Sequence, residues 1–304
     1  MPDLVLALKV DVDTERGTRL GVPALARVFG ELGIRASFFF SLGPDNTGRA
    51  LRRVFRPGFL KKVRRTSVVS TYGVRTLLNG VLWPGPHIGA RHAGLMRAVR
   101  DAGHDVGIHC YDHIRWQDGL HHMRIGEVRR EFGRARAEFE RVFGVPAASA
   151  AAAGWQADAQ SLTVYDEAGL TYASDARGVC PFFPVVRKER FQTLQIPSTL
   201  PTLDELLGRT DYPEESLATH YFSLLRRNEV NVMTLHAEIE GMAKYAWFRE
   251  FLTRAVSMRV QFITLADVAR AALAAPATIP AHELILAEID GRSGTLAVQG
   301  NAVA

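Results

Sequence analysis

The chain predicts an α/β fold, with a (β/α) barrel favoured over a doubly wound open sheet, and three observations carry the prediction. Short β-rich runs alternate with helical patterns, the order expected of parallel strands joined by crossover helices. Seven or eight such runs can be counted, which favours the barrel. The residues best suited to chemistry fall at the C-terminal ends of three runs, where barrels and open sheets alike keep their sites.

Leu4 to Val12 reads as the first strand. Gly21-Val22-Pro23 opens a helix to about Leu32, with Pro in its first turn and Gly33 as its stop. Ala36 to Leu42 is the second strand. The alternation then lapses until Ala93 to Ala102 resumes as a helix stopped by Gly103 and leads into a third strand, Asp105 to Cys110. Ile125 to Phe143 is a strongly periodic helix ended by Gly144 and Pro146. Pro146 to Ala153 has the composition of a linker. A helix and a strand follow at once (Asp158 to Ala168, Thr171 to Ser174), so it reads as a buried strand of small residues. Gln192 to Thr199, Asn231 to His236 and Val260 to Leu265 complete the set. Residues 1–270 then form the barrel, with 46–90 as an insertion, and 271–304 reads as an Ala-rich, poorly packed tail with a hairpin turn suggested at Asp290-Gly291.

Composition excludes some classes. With 304 residues, 47% hydrophobic and 23% charged, the chain is neither disordered nor fibrous. Its longest apolar run near the start, Leu4 to Leu8, is interrupted by Lys9, so neither a signal peptide nor a spanning helix is expected, and the cytoplasm is the expected compartment. Cys110 and Cys180 read as thiols. The net charge of +5 is unevenly spread: positions 46 to 100 hold twelve basic residues and no acidic one, and the rest of the chain is net acidic. Such a block serves an anionic partner.

Three clusters carry the chemistry. Asp11-Val12-Asp13 ends the first strand with two carboxylates on one side of an extended backbone. His109-Cys110-Tyr111-Asp112-His113 closes the third, with two imidazoles that can converge on one ion, while Cys110 faces the core. His236-Ala237-Glu238 ends the Asn231 strand. One Asp with two His is a common ligand set that leaves open positions on a divalent ion. The second Asp would then be a base and His236 an acid.

These motifs, in this order, resemble the polysaccharide deacetylase family, over roughly residues 4 to 270. The resemblance implies a distorted (β/α) barrel and hydrolysis of acyl groups on sugars. It also implies Asp11 as base, Asp13, His109 and His113 as ligands of one divalent ion (Zn, Co, Mn or Ni), and His236 as acid. Longer strings resemble one branch of that family: Asp11-Val-Asp-Thr-Glu-Arg-Gly-Thr-Arg, Phe39-Phe-Ser-Leu-Gly-Pro-Asp-Asn, Ala151-Ala-Ala-Gly-Trp-Gln-Ala-Asp, Ser174-Asp-Ala-Arg-Gly and His236-Ala-Glu-Ile-Glu-Gly. That branch removes formate from a polyprenyl-phosphate-linked formamido-arabinose, on the route to aminoarabinose-modified lipid A and polymyxin resistance. Where many members of the family have Arg-Pro-Tyr, this chain has Ala-Gly-Trp, so the arginine that steadies the base is unassigned, with Arg177 as a substitute. Asp175 is expected to orient the catalytic His. Arg16, Arg19, Trp155, Arg177 and Glu238 are expected to meet the substrate.

The basic segment then reads as an amphipathic, membrane-facing insertion of short interfacial helices. Arg52, Arg53, Phe55, Phe59, Lys61, Lys62, Leu78 and Trp83 would rest on the cytoplasmic face of the inner membrane, held partly by anionic lipid. Basic residues among aromatics also describe RNA binders, but no nucleic-acid module is recognisable. Two other functions fit the motifs less well: a deacetylase of an N-acetyl sugar from peptidoglycan or chitin, and an inactive membrane or RNA adaptor.

Overall fold

The computed structural model describes residues 4–50 and 74–303. Its main sheet is parallel and curled, built from β1 (Val5–Val12), β2 (Ser37–Ser41), β3 (Asp105–Cys110), β4 (Ser149–Ala150), β5 (Tyr172–Ala173), β8 (Leu194–Gln195), β9 (Val230–His236) and β10 (Gln261–Ile263). The neighbours run β9-β1-β2-β3-β4-β5-β8, and β10 lies beside the first half of β1. After β8 the chain reaches back to β9, where the amides of Thr199 and Leu200 both donate to the Val232 carbonyl at 3.1 Å. The expected distorted barrel is therefore present, its far side reduced to two-residue strands. The chain predicted as a strand from Pro146 to Ala153 pairs only at Ser149–Ala150, because it then turns sharply at Gly154 and Trp155, both at positive φ.

Strand alternation decides what enters the barrel. On β1, Leu6, Leu8, Val10 and Val12 pack outward under the helices, each contributing roughly 1.5–3 kcal/mol by burial. Ala7 belongs to the interior cluster with Phe39, Ala151, Tyr172, Leu194 and Val232. Lys9 and Asp11 follow Ala7 at the strand's period of two, so they share that interior face, and Asp13 continues it just past the strand end.

The helices are α1 (Val22–Leu32), α2 (Val74–Leu78), α3 (Ile88–Asp101), α4 (His113–Gly119), α5 (Ile125–Phe143), α6 (Ala159–Ala168), α7 (Leu203–Leu206), α8 (Leu217–Leu224), α9 (Tyr245–Ser257) and α10 (Leu265–Leu273). The α5 helix occupies the residues its periodicity predicts: Val128, Phe132, Ala135, Phe139 and Val142 form one buried stripe, and Gly144 stops it at φ 73°.

A second sheet, ordered β12-β11-β6-β7, joins β6 (Phe183–Val186) and β7 (Glu189–Arg190) to the hairpin of β11 (Ala281–Glu288) and β12 (Thr295–Val303). This corrects the expectation of a poorly packed tail over 271–304. Leu284 and Ala297 are buried with Phe182, Phe191 and Leu162, and Arg177 exchanges backbone hydrogen bonds with Ala297 and Gln299. The Ala-rich stretch ends before the hairpin, whose own alternation is masked by its polar face.

Of the expected membrane contacts, Arg52, Arg53, Phe55, Phe59, Lys61 and Lys62 lie outside the described residues. Leu78 is half-buried, whereas Val81, Leu82 and Trp83 are exposed by 55%, 64% and 46%. Among the described residues, no helix is long and apolar enough to cross a membrane.

Candidate active site

The ends of β1, β3 and β9 converge at one mouth of the barrel. His109 closes β3 pointing inward, and its Nδ1 donates to the Ala151 carbonyl at 2.6 Å, which fixes the tautomer and leaves Nε2 as a lone pair. His113 sits one turn further, at the start of α4, whose N-terminus is capped by Asp112 accepting from the Arg115 amide. Asp13 Oδ1 lies 3.2 Å from His109 Nε2 and 3.4 Å from His113 Nε2.

Asp13 Oδ1 and His109 Nε2 are buried atoms without a hydrogen-bond partner. One donor atom from each of Asp13, His109 and His113 falls within 4.8 Å of the others. A carboxylate oxygen and two imidazole nitrogens aimed at one point fit a divalent ion. These charges also act on one another. Burial works to raise the Asp13 carboxyl, but the facing imidazoles outweigh it and hold it well below the usual range. His109 is raised: burial opposes its charge, and the carboxylates of Asp11 and Asp13 overcome that.

The loop that presents Asp13 is braced from below. Glu238 Oε1 accepts from the amide and the hydroxyl of Thr14, at 2.9 and 2.7 Å. A Cβ on Gly17 would meet that carboxyl oxygen at 1.9 Å, so any other residue there would push Glu238 off Thr14. Burial, then the neighbouring Asp13 charge, pushes the Glu238 carboxyl up to about 8. Glu238, expected from sequence to meet the substrate, is fully buried and supports the Asp13 loop.

Asp11 is the neighbouring carboxylate. Its Oδ2 lies 3.2 Å from Lys9 Nζ, and both side chains are buried. Lys9 also donates to the Ser174 carbonyl at 2.9 Å and lies 4.9 Å from the Trp155 ring centre. Burial lowers the Lys9 pKa and the Asp11 charge opposes that fall. The cation beside Asp11 is therefore Lys9, to which the sequence pattern assigns no role. Arg177 is engaged elsewhere, donating to Glu205 at 2.7 Å and to the Leu200 carbonyl at 2.8 Å.

A second correction concerns His236. Asp175 does not face it: the carboxylate accepts from the Ala152 amide and from Gln195 Nε2, and burial raises it to about 6. The carboxylate near His236 is Asp204 at the start of α7, 3.9 Å from Nδ1. Trp155 closes the mouth edge-on to His236, its centre 6.2 Å away, and its Nε1 donates to Ser198. Arg16 is half-buried in the turn after Asp13, and exposed Arg19 pairs with Glu15 at 3.2 Å. Sequence signals for the missed residues exist. Lys9 is a lone cation in an apolar strand two positions before Asp11, and Asp204 lies within a Thr202-x-x-Glu205 capping box.

The chain is similar to known proteins along most of its length. A family model for polysaccharide deacetylases matches residues 5–173. The chain is 37% identical over 298 residues, 98% of its length and 95% of the relative's, to a Shewanella sediminis protein named probable 4-deoxy-4-formamido-L-arabinose-phosphoundecaprenol deformylase. It is 31% identical over 287 residues, 93% and 98% of the two chains, to a protein of the same name from Wigglesworthia glossinidia brevipalpis. Among solved structures, a Mycobacterium smegmatis protein assigned to the polysaccharide deacetylases superposes with a TM-score of 0.64 at 17% identity, covering 95% of this chain and 96% of that one.

Proposed function

The chain belongs to the polysaccharide deacetylase family, and from that premise we propose that it removes formate from a 4-formamido-arabinose carried on polyprenyl phosphate. It is a hydrolase acting on a linear amide C–N bond. The observation that carries the narrower reading is the near full-length likeness to relatives named for that deformylation. The reaction would lie on the route to aminoarabinose-modified lipid A and polymyxin resistance.

An amide is a poor electrophile and its amine a poor leaving group, so both ends need help. A divalent ion held by Asp13, His109 and His113 would polarise the formyl carbonyl and lower the pKa of a water to about 7. Zn²⁺, Co²⁺, Mn²⁺ and Ni²⁺ all accept that donor set. Asp11 takes the proton of the attacking water, with the Lys9 ammonium 3.2 Å from its carboxylate. His236 lies in register with Asp11 on the adjacent strand, and it protonates the departing 4-amino nitrogen. Formate and a cationic aminosugar leave. Arg16 and Arg19 are the cations proposed for the substrate phosphate.

The substrate's polyprenyl tail stays in the bilayer, so the enzyme must work at a membrane surface. Exposed Val81, Leu82 and Trp83 beside the basic segment support docking on an anionic leaflet, each basic side chain there contributing about 1 kcal/mol before screening. Reversing Arg52, Arg53, Lys61 and Lys62 to Glu should move the protein off phosphatidylglycerol vesicles in co-sedimentation and leave turnover of a short-chain soluble analogue nearly unchanged. Equal sedimentation of both proteins would remove the docking role.

His113→Ala deletes one of three protein donors and should lose the bound ion in elemental analysis while the fold survives in circular dichroism. Unchanged metal content would overturn the ligand set. The function itself is tested by incubating purified protein with the formamido-arabinose lipid and with N-acetylglucosamine oligomers. Formate from the first and no acetate from the second supports deformylation, and acetate release alone would replace it with deacetylation.

A further inference from the structure

We propose that the C-terminal hairpin is part of the catalytic apparatus, with Arg292 at its tip acting as a positioning residue that holds Asp204 in front of His236. An arginine just past a surface turn normally extends into water, yet only 11% of this side chain is exposed. The tip is seated on the first turn of α7. Gly291 takes φ 83°, and a Cβ there would come within 2.6 Å of the Glu205 carbonyl oxygen.

The guanidinium divides its donors. Nε donates to Glu205 Oε1 at 2.5 Å, while Nη2 lies 3.4 Å from Thr202 Oγ1 and 3.7 Å from Asp204 Oδ1. The Thr202 hydroxyl donates to that same Asp204 oxygen at 2.6 Å. Glu205 is thus the anchor, shared with Arg177, and Asp204 is the carboxylate that the anchored arginine turns toward the site. Asp204 Oδ1 stands 3.9 Å from His236 Nδ1, a buried nitrogen without a hydrogen-bond partner.

An imidazole that delivers a proton from Nε2 is best held through Nδ1, and a carboxylate there fixes the ring's orientation and supports its charge. The Arg292 guanidinium carbon also lies over Trp155, 4.2 Å from the ring centre, and Trp155 in turn meets His236 edge-on. Arginine, indole and imidazole form one packed wall. A lysine could keep the charge but not hold Glu205 and Asp204 with separate nitrogens.

The inference rests on the proposed acid role of His236, and leaving-group dependence separates the two. For Arg292→Ala, kcat on an unactivated sugar formamide should fall about tenfold or more with KM changed less than about twofold. An aryl formate ester, whose leaving group needs no proton, should lose less than about threefold. Arg292→Lys should fall between, and it supplies the readout if the alanine variant does not fold. Asp204→Asn combined with Arg292→Ala should be no worse than Asp204→Asn alone, since the arginine acts through the carboxylate. A rise in KM with unchanged kcat would make Arg292 a substrate contact. Equal losses on both substrates, or additive effects of the two substitutions, would make it structural only. Either result overturns the proposal. His236→Ala in the same assay is the control, because wild-type turnover of the formamide by that variant would remove the acid role itself.

Discussion

Asp11→Asn is expected to keep its metal and lose deformylation by about 10²- to 10⁴-fold, the usual worth of a positioned general base. The amide keeps the shape of the carboxylate but cannot take a proton from water. Asp13, two residues on, is the carboxylate facing both imidazoles, so the ion's donors are untouched. Elemental analysis beside a formate assay separates the two roles. If Asp11→Asn instead loses metal and regains activity in excess metal, the two aspartates have been exchanged.

Lys9→Met is expected to cost about 3–5 kcal/mol of stability, because it leaves the buried Asp11 carboxylate without its cation. Activity should fall with it, since the carboxylate proposed as base loses the cation that holds it in place. The diagnostic is the double variant: Lys9→Met with Asp11→Asn removes both charges and should recover much of the loss in urea unfolding. A single variant less than about 1 kcal/mol weaker than wild type, with full turnover, would show that Lys9 is no partner of the base.

Much of the site was legible because strand alternation is a strict code. Once Leu4 to Val12 is a strand with one face packed on helices, Asp11 must point inward, and the same logic sends His109 in and Cys110 out. The helix from Ile125 to Phe143 was readable to its ends because a single apolar stripe and a glycine stop define it. Lys9 obeys the same alternation but, in sequence, looks like an interruption of an apolar run, since a charge inside a barrel makes sense only beside its partner. Asp175, Asp204 and Arg177 could not be sorted from sequence. All three lie on short segments around the mouth, where the chain's path rather than a repeating pattern decides which carboxylate faces His236. The hairpin was harder still. Its contribution to the site depends on contacts between Arg292 and residues 202–205, and nothing in the composition of the tail announces a pairing of such sequence separation.

The most direct measurement is formate release by metal-stripped enzyme as a divalent ion is added back, read against the ion bound per chain, in wild type and in His113→Ala. The predicted result is turnover that is absent without metal, rises with occupancy to one ion per chain, and is not restored in the variant. Formate release at the full rate from metal-free protein, or full rescue of His113→Ala, would contradict hydrolysis at the centre formed by Asp13, His109 and His113.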